Sequence, residues 1–510
     1  MVNQTERYRI VILGGGTAGW MTAAMLVSRL SPADYEIALV ESDLIGTVGV
    51  GEATLPHIKH FNDALGIDEV DFVAQTQATF KLGIEFVGWG PPGERYIHPF
   101  GAFGEPWRGV EFQHQWLRNR AMGRPTLPLA AYSYAVAAAH ARRFDLPDKD
   151  RSSIRSTYAY AYHFDAGLYA AYLRRWAIAR GVDRREGLVE GVDRDAQSGD
   201  VTGLRLQSGT TIQGDLFVDC SGFRSVLVGD CQEVPWRDWS ACLPCDRALA
   251  VPSARAEDFT PFTRSTAQTA GWTWRIPLQH RTGNGYVYSS RFIDEAAARA
   301  TLLGALDSEP LDEPRLLRFQ AGRREKAWSR NCVAIGLASG FLEPLESTSI
   351  FLIQAAAHDL ATLMPARGDS RLDPRLSDEF NRLFEIHYER ARDFLILHYA
   401  INGREGEPLW DHMRRMALPE SLERRIALFR TRGALPNYEL GLFSRDSWLS
   451  VLVGQGLSPE GYDRLADALD PEVLDPRLAD FADRIASNLS TMRSHEDFVA
   501  AYRARAGAMA

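Results

Sequence analysis

An α/β chain with a mainly helical C-terminal domain is predicted by three features of this sequence: a strand, glycine turn, helix and second strand near Met1, a group of short strands around residue 200, and arginine-rich amphipathic segments after Pro374. In the first feature, Arg9 to Leu13 is a short β-branched and leucine run that suits a buried parallel strand. Gly14, Gly16 and Gly19 follow as G-x-G-x-x-G. The first glycine permits a tight turn, the second lets backbone approach a pyrophosphate, and the third lets the helix from Thr17 pack closely on the sheet. Negative charge would sit at the amino end of that helix. Ser31-Pro32 breaks the helix, Ile37 to Val40 is another apolar strand, and Glu41 falls at its carboxyl end, where a carboxylate can accept from a ribose hydroxyl. This order of elements reads as a Rossmann-type module for an adenine dinucleotide rather than a bare glycine turn.

Thr47 to Pro56, TVGVGEATLP, reads as a loop. Lys81 stands in FKLGIEFVGWG, a strand-like run. Its amine either snorkels to water over a packed stem or is a partly buried ammonium aimed into a pocket. Residues 91–150 read as an aromatic-rich excursion, including His98, Phe100 and Trp116, that either walls a cavity for a flat apolar ligand or fills a core. Leu129 to Phe144 and Phe164 to Arg180 read as helices. Leu188 to Val192, Val201 to Leu206 and Leu216 to Cys220 are strands with turns at Ser198-Gly199-Asp200 and Ser208-Gly209, a β-meander whose last strand returns to the first sheet. GWTWRIP (Gly271 to Pro277) puts two tryptophans on one face of a strand. In FLEPLESTSIFLI, Ser347 and Thr348 can open a helix, leaving free amides near Thr348 and Ser349 for an anion. Glu346 just before them is either a cap or an acid-base group. Helices are expected over residues 376–399, 422–430, 461–469 and 476–506, with breaks at Pro408, Pro436, Ser458-Pro459 and Asp470-Pro471. The expected domains are 1–370 and 371–510.

A net charge of -9 and a pI near 5.8 leave no basic surface for nucleic acid or an anionic membrane. The first strand starts too soon after Met1 for a signal peptide, and no apolar run approaches the roughly 20 residues of a membrane helix, so a cytoplasmic protein is expected. Five cysteines suit a reducing compartment, and Cys242-x-x-Cys245 has no partner pair at metal-ligand spacing, so no metal is expected. Only Lys59, Lys81, Lys149 and Lys326 are lysine among 57 basic residues. Where arginine supplies charge so uniformly, a lysine in an apolar run directs attention to its amine.

Taken together, GGGTAGW, GVGEATLP, FKLGI, HPFG (His98 to Gly101), DCSGFRS (Asp219 to Ser225), GWTWRIP and FLEPLESTSI resemble the flavin-dependent tryptophan halogenase family, over residues 8 to about 455. That resemblance implies an FAD-binding α/β module of the flavin monooxygenase kind. It also implies a two-component enzyme in which a separate flavin reductase supplies FADH2, O2 gives a flavin hydroperoxide, and halide attacks it to yield hypohalous acid. By similarity Gly14, Gly16, Thr17, Ala18 and Gly19 hold the pyrophosphate and Glu41 the ribose. Val50 and Ala53 lie in a strap over the flavin, Val189 near the adenine, and Leu337 and Ile350 beside the isoalloxazine. Thr348 and Ser349 match the halide site, and Lys81 and Glu346 the catalytic pair. An amine can hold hypohalous acid or form an N-haloamine, and a carboxylate can stabilise the ring cation and take its proton.

Two departures from the family pattern stand out. Ser349 replaces the glycine of F-x-x-P-x-x-S-x-G. Asn437 to Leu452, NYELGLFSRDSWLSVL, lacks the tyrosine pair with which members that take free tryptophan grip its head group. A zwitterion needs matched polar partners to leave water. The expected substrate is therefore indole, a substituted indole or a larger aromatic, with His98, Phe100 and Trp448 as its contacts. The alternatives are an FAD-dependent aromatic hydroxylase and a flavoprotein without turnover. The sequence leaves a homodimer open.

Overall fold

The computed structural model of the chain describes residues 7–45, 51–364, 373–437 and 440–509. They form two compact units, each assembled from three stretches: Met1–Gln77, Phe164–Pro244 and Phe319–Glu389 in the first, Ala78–His163, Cys245–Arg318 and Arg390–Ala510 in the second. Where the sequence predicts one boundary at 370, the chain crosses five times, the last time inside the helix Pro374–Ala400. The reason is strand pairing between distant segments. In the second unit, for example, Gly83–Val87 pairs with Thr263–Gln268.

The first unit is built on a six-stranded sheet with Tyr8–Leu13 near its centre, flanked in parallel by Tyr35–Glu41 and Leu216–Asp219. Asp183–Glu186 and Cys332–Ala334 extend it in parallel, and only Trp328–Ser329 runs antiparallel. The helix Thr17–Arg29 follows the first strand and buries Trp20, Met21, Ala23, Ala24 and Leu26. The meander is Val189–Arg194, Val201–Leu206 and Thr211–Gln213, a separate three-stranded sheet. Val201, Leu204 and Leu206 pack with Val11, Leu13 and Phe217, so the meander is joined to the main sheet by apolar contact. As expected, Leu216–Asp219 carries the chain back to Tyr8–Leu13.

The second unit holds a seven-stranded sheet that the sequence reading missed apart from GWTWRIP and the Lys81 run. In spatial order its strands are Arg315–Arg318, Arg247–Ala254, Arg281–Tyr288, Gly271–Pro277, Thr263–Gln268, Gly83–Val87 and Arg95–Pro99. All neighbours are antiparallel except Thr263–Gln268 with Gly83–Val87. Arg95–Pro99 and the helix Phe112–Ala121 lie within the expected irregular excursion.

The C-terminal helices are Pro408–Arg415, Glu420–Arg432, Arg445–Gly454, Pro471–Leu489 and His495–Met509. Pro408 and Pro471 open helices rather than end them, because the first helical position needs no N–H. Arg464–Ala468 is only a 3-10 turn. The helix expected over Leu129 to Phe144 splits at Ser133, whose φ of -123° and ψ of 118° are extended, leaving a 3-10 turn and Tyr134–His140. Among the described residues no helix is long and apolar enough to cross a membrane.

Candidate active site

In the first unit the three motif glycines have distinct jobs. Gly14 has φ +114°, which L side chains rarely adopt, and a Cβ there would collide with the Cys220 carbonyl. A Cβ at Gly19 would fall on the Gly14 carbonyl oxygen, so only glycine lets the helix pass this close. Gly16 is different. Its φ is an ordinary -76°, and nothing lies within 4 Å of a Cβ built on it. That space lies before the amino end of Thr17–Arg29, a helix whose first turn has no side-chain cap. Free amides at Thr17 and Ala18 facing open volume fit a pyrophosphate.

Glu41 ends the second strand with a carboxylate that is 10% exposed. Arg184 Nε donates to it at 2.5 Å, Arg174 lies 3.2 Å away, and Trp20 Nε1 donates at 3.2 Å. A carboxylate has roughly four acceptor sites, so this grip fixes its direction and leaves capacity for a ribose hydroxyl. Both arginines come from elements about 130 or more residues away, and nothing in the local sequence announces them.

Gly336, at φ +74°, begins the turn Gly336–Ala338, and a Cβ on it would lie 2.7 Å from Ala18 Cβ. The turn therefore packs Gly336 against the start of the motif helix, and Leu337, half-buried, follows it. Asp219 is fully buried and accepts from the amides of Ser221, Leu227 and Val228 and from the Ser221 hydroxyl, which shapes the DCSGFRS loop. Val189 is half-buried in the meander, and Ala53 is buried in the strand Gly51–Ala53, where burial pushes the Glu52 carboxyl up to about 7. Val50 lies outside the described residues.

Ser347 adopts φ 58° and ψ 33°, a left-handed corner, and the helix Thr348–Thr362 starts directly after it with no capping bond from the Ser347 side chain. The Thr348 hydroxyl is buried and has no protein hydrogen-bond partner among the described residues, while Ile350 is buried and Ser349 half-buried. Uncapped amides beside an orphaned hydroxyl suit a small anion. Glu346 is fully buried in the 3-10 turn Pro344–Glu346, immediately before this corner.

In the second unit Lys81 ends the strand Thr79–Lys81 and is fully buried, which excludes the snorkelling alternative. Its ammonium stands 5.1 Å from the centroid of Phe100. The expected substrate contacts fall in one aromatic group. His98 lies 6.2 Å from Phe100 and 5.5 Å from Phe394, and Phe394 lies 5.0 Å from Trp448. Phe394 and Phe443, which the sequence reading missed, stack at 3.8 Å in its centre. Trp272 and Trp274 share a face at 6.1 Å.

The profile of the tryptophan halogenase family matches residues 9–471. The chain is 36% identical over 491 residues to tryptophan 6-halogenase ThaL of Streptomyces albogriseolus, covering 88% of this chain and 90% of that one. It is 35% identical over 536 residues to tryptophan 7-halogenase RebH of Lentzea aerocolonigenes, covering 96% and 98%. Among solved structures, BrvH, a flavin-dependent halogenase from Brevundimonas sp. BAL3, is similar with a TM-score of 0.93 and 45% identity over 98% of this chain and 99% of that one. These likenesses do not favour the hydroxylase alternative.

Proposed function

Since the chain belongs to the tryptophan halogenase family, we propose that its substrate is indole or another electron-rich aromatic without an amino-acid head group, and that Lys81 and Glu346 carry the halogenation. The protein is a flavin-dependent halogenase, an oxidoreductase that halogenates aromatics with FADH2. In this reading a separate flavin reductase delivers the FADH2, which reaches the chain by diffusion. When bound, the reduced flavin supplies with O2 the oxidising equivalent that turns halide into hypohalous acid. The Gly16 space and the Thr17 and Ala18 amides would hold its pyrophosphate, with Glu41 on the ribose and Leu337 and Ile350 beside the ring system. The amides of Thr348 and Ser349 hold the halide.

Lys81 donates to hypohalous acid and sets the position of its halogen; an arginine, with a wide and permanently charged fork, would not replace it. Attack by the aromatic ring on the halogen forms the carbon–halogen bond and breaks the oxygen–halogen bond, the electron pair leaving on hydroxide, and a ring cation remains whose proton completes water. Glu346 stabilises that cation and accepts its proton. The tryptophans of GWTWRIP keep substrate away from the flavin.

The observation that carries the substrate reading is the aromatic group of His98, Phe100, Phe394, Phe443 and Trp448 beside the lysine. It offers ring faces, whereas a zwitterion needs matched polar partners. The test is a substrate panel with FAD, a reductase and each halide in turn, read by mass for halogen isotope pairs. Indole is expected to turn over faster than free tryptophan, and the reverse order would end this reading.

A further inference from the structure

Thr79 and Lys81 share one face of a three-residue strand, and across the antiparallel pair Thr79 stands opposite His163. His163 is fully buried. Its Nδ1 lies 3.0 Å from the Thr79 hydroxyl and its Nε2 3.0 Å from the Thr263 hydroxyl, while Thr79 Oγ1 also lies 2.7 Å from the carbonyl of Pro277. Counting protons fixes every direction in this chain. The Pro277 carbonyl can only accept, so the one hydroxyl proton of Thr79 goes to it. Thr79 Oγ1 must then accept from His163, which places the imidazole proton on Nδ1. Nε2 is left as an acceptor, and Thr263 donates to it. Burial first, then the charge of Lys81 and more weakly that of Arg275, hold the imidazole far below its ordinary pKa, so the ring stays neutral.

The other side of the strand is held as firmly. Phe80 stacks on Phe144 at 4.4 Å, and its amide donates to Nε2 of His495 at 3.2 Å. The lysine strand is thus fixed by one histidine on its Phe80 side and by the hydroxyl–imidazole–hydroxyl chain on the side that carries the amine.

We propose that His163 is a positioning residue for Lys81: a neutral Nδ1–H imidazole, locked between Thr79 and Thr263, that ties the lysine strand to the strand Thr263–Gln268 and so sets where the amine stands. This rests on the reading of Lys81 as the group that steers hypohalous acid. A shifted amine would still meet hypohalous acid but would no longer deliver it to the ring carbon, so oxidant would be made and lost.

The experiment uses the full chain with FAD, a reductase, halide and the aromatic it halogenates best, and measures halogenated product per FADH2 oxidised together with hypohalite caught by a soluble trap. His163→Leu is expected to lower product per FADH2 about tenfold, the scale of losing one buried hydrogen bond, with trapped hypohalite rising in step. The rate of FADH2 oxidation and the aromatic's KM should stay near wild type. His163→Gln, whose amide can donate to Thr79 and accept from Thr263, should restore most of the coupling. Wild-type coupling in His163→Leu, or a folded His163→Gln as uncoupled as the leucine variant, overturns the proposal. If His163→Leu does not fold, Thr263→Val, which removes only the donor to Nε2, must lower coupling about threefold, and wild-type coupling there overturns it equally. Lys81→Ala separates the two levels. Coupling lost there but kept in His163→Leu refutes the role of His163 alone, and coupling kept in Lys81→Ala refutes the lysine reading as well.

Discussion

Replacing Gly16 by alanine separates cofactor binding from folding, because the structure gives the new methyl room in the space that the proposed function assigns to a pyrophosphate. Backbone angles of -76° and -174° suit alanine, so the loss of unfolded-state freedom stabilises the chain by about 0.4–1 kcal/mol. Gly16 is also the residue before the first helical turn, a position where alanine is worse than glycine by about 0.5–1.5 kcal/mol. The two nearly cancel, and the stability of the apoprotein should move by less than about 1 kcal/mol. The ligand has no such compensation. A methyl in the space now empty to 4 Å pushes the phosphates off one of the Thr17 and Ala18 amides, and one lost bond to a charged group costs about 1.5–3 kcal/mol. The dissociation constant of FAD should therefore rise about tenfold to a hundredfold. Gly19→Ala should do the opposite, since its methyl meets the Gly14 carbonyl, and overpacking of this kind costs about 1–3 kcal/mol of stability. Thermal unfolding of the apoproteins and fluorescence titration with FAD read both quantities. Gly16→Ala with wild-type FAD affinity, or with a larger loss of apoprotein stability than Gly19→Ala, would refute the assignment of the space to phosphate.

Two further outcomes follow from the second unit. Lys81→Ala should still oxidise FADH2 and release peroxide but give no halogenated product; product at the wild-type rate by mass spectrometry would remove the lysine from the mechanism. His495 is buried and held neutral, its pKa lowered to about 4 by burial, whereas in the unfolded chain it titrates at its ordinary 6.5. The unfolded state takes up the proton first, so this contribution is whole above pH 6.5 and is lost between pH 6.5 and 4, amounting to about 3 kcal/mol. Urea unfolding at pH 7.5, 5.5 and 4.5 should show a steeper fall for wild type than for His495→Gln, and parallel profiles would contradict it.

The parts legible in the sequence are those whose cause is local. The dinucleotide module is read from Tyr8 to Glu41 because turn, helix start and strand end follow one another within a single βαβ unit. The uncapped helix start at Thr348 is equally local. The sheet of the second unit was not legible, since strands such as TRSTAQ and RTGNGYVY carry few apolar residues and gain their place by pairing with distant partners. The helix Phe112–Ala121 hides for a related reason: its glutamines, histidine and Arg118 are buried along with its aromatics, so no apolar stripe marks it. The same holds at the site. Lys81 and Glu346 stand out by motif, but the arginines that grip Glu41 and the threonines that orient His163 are assembled only by the fold.

Five crossings between the two units mean that no contiguous piece of the gene encodes either one. A truncation anywhere before Phe341, where the last strand ends, leaves at least one sheet with missing strands, so such fragments should be insoluble rather than half-active. Most one-point chimeras between relatives would instead mix strands of two parents within both units. New substrate ranges are therefore to be sought by exchanging side chains and loops within an intact chain, a route that leaves every strand register in place.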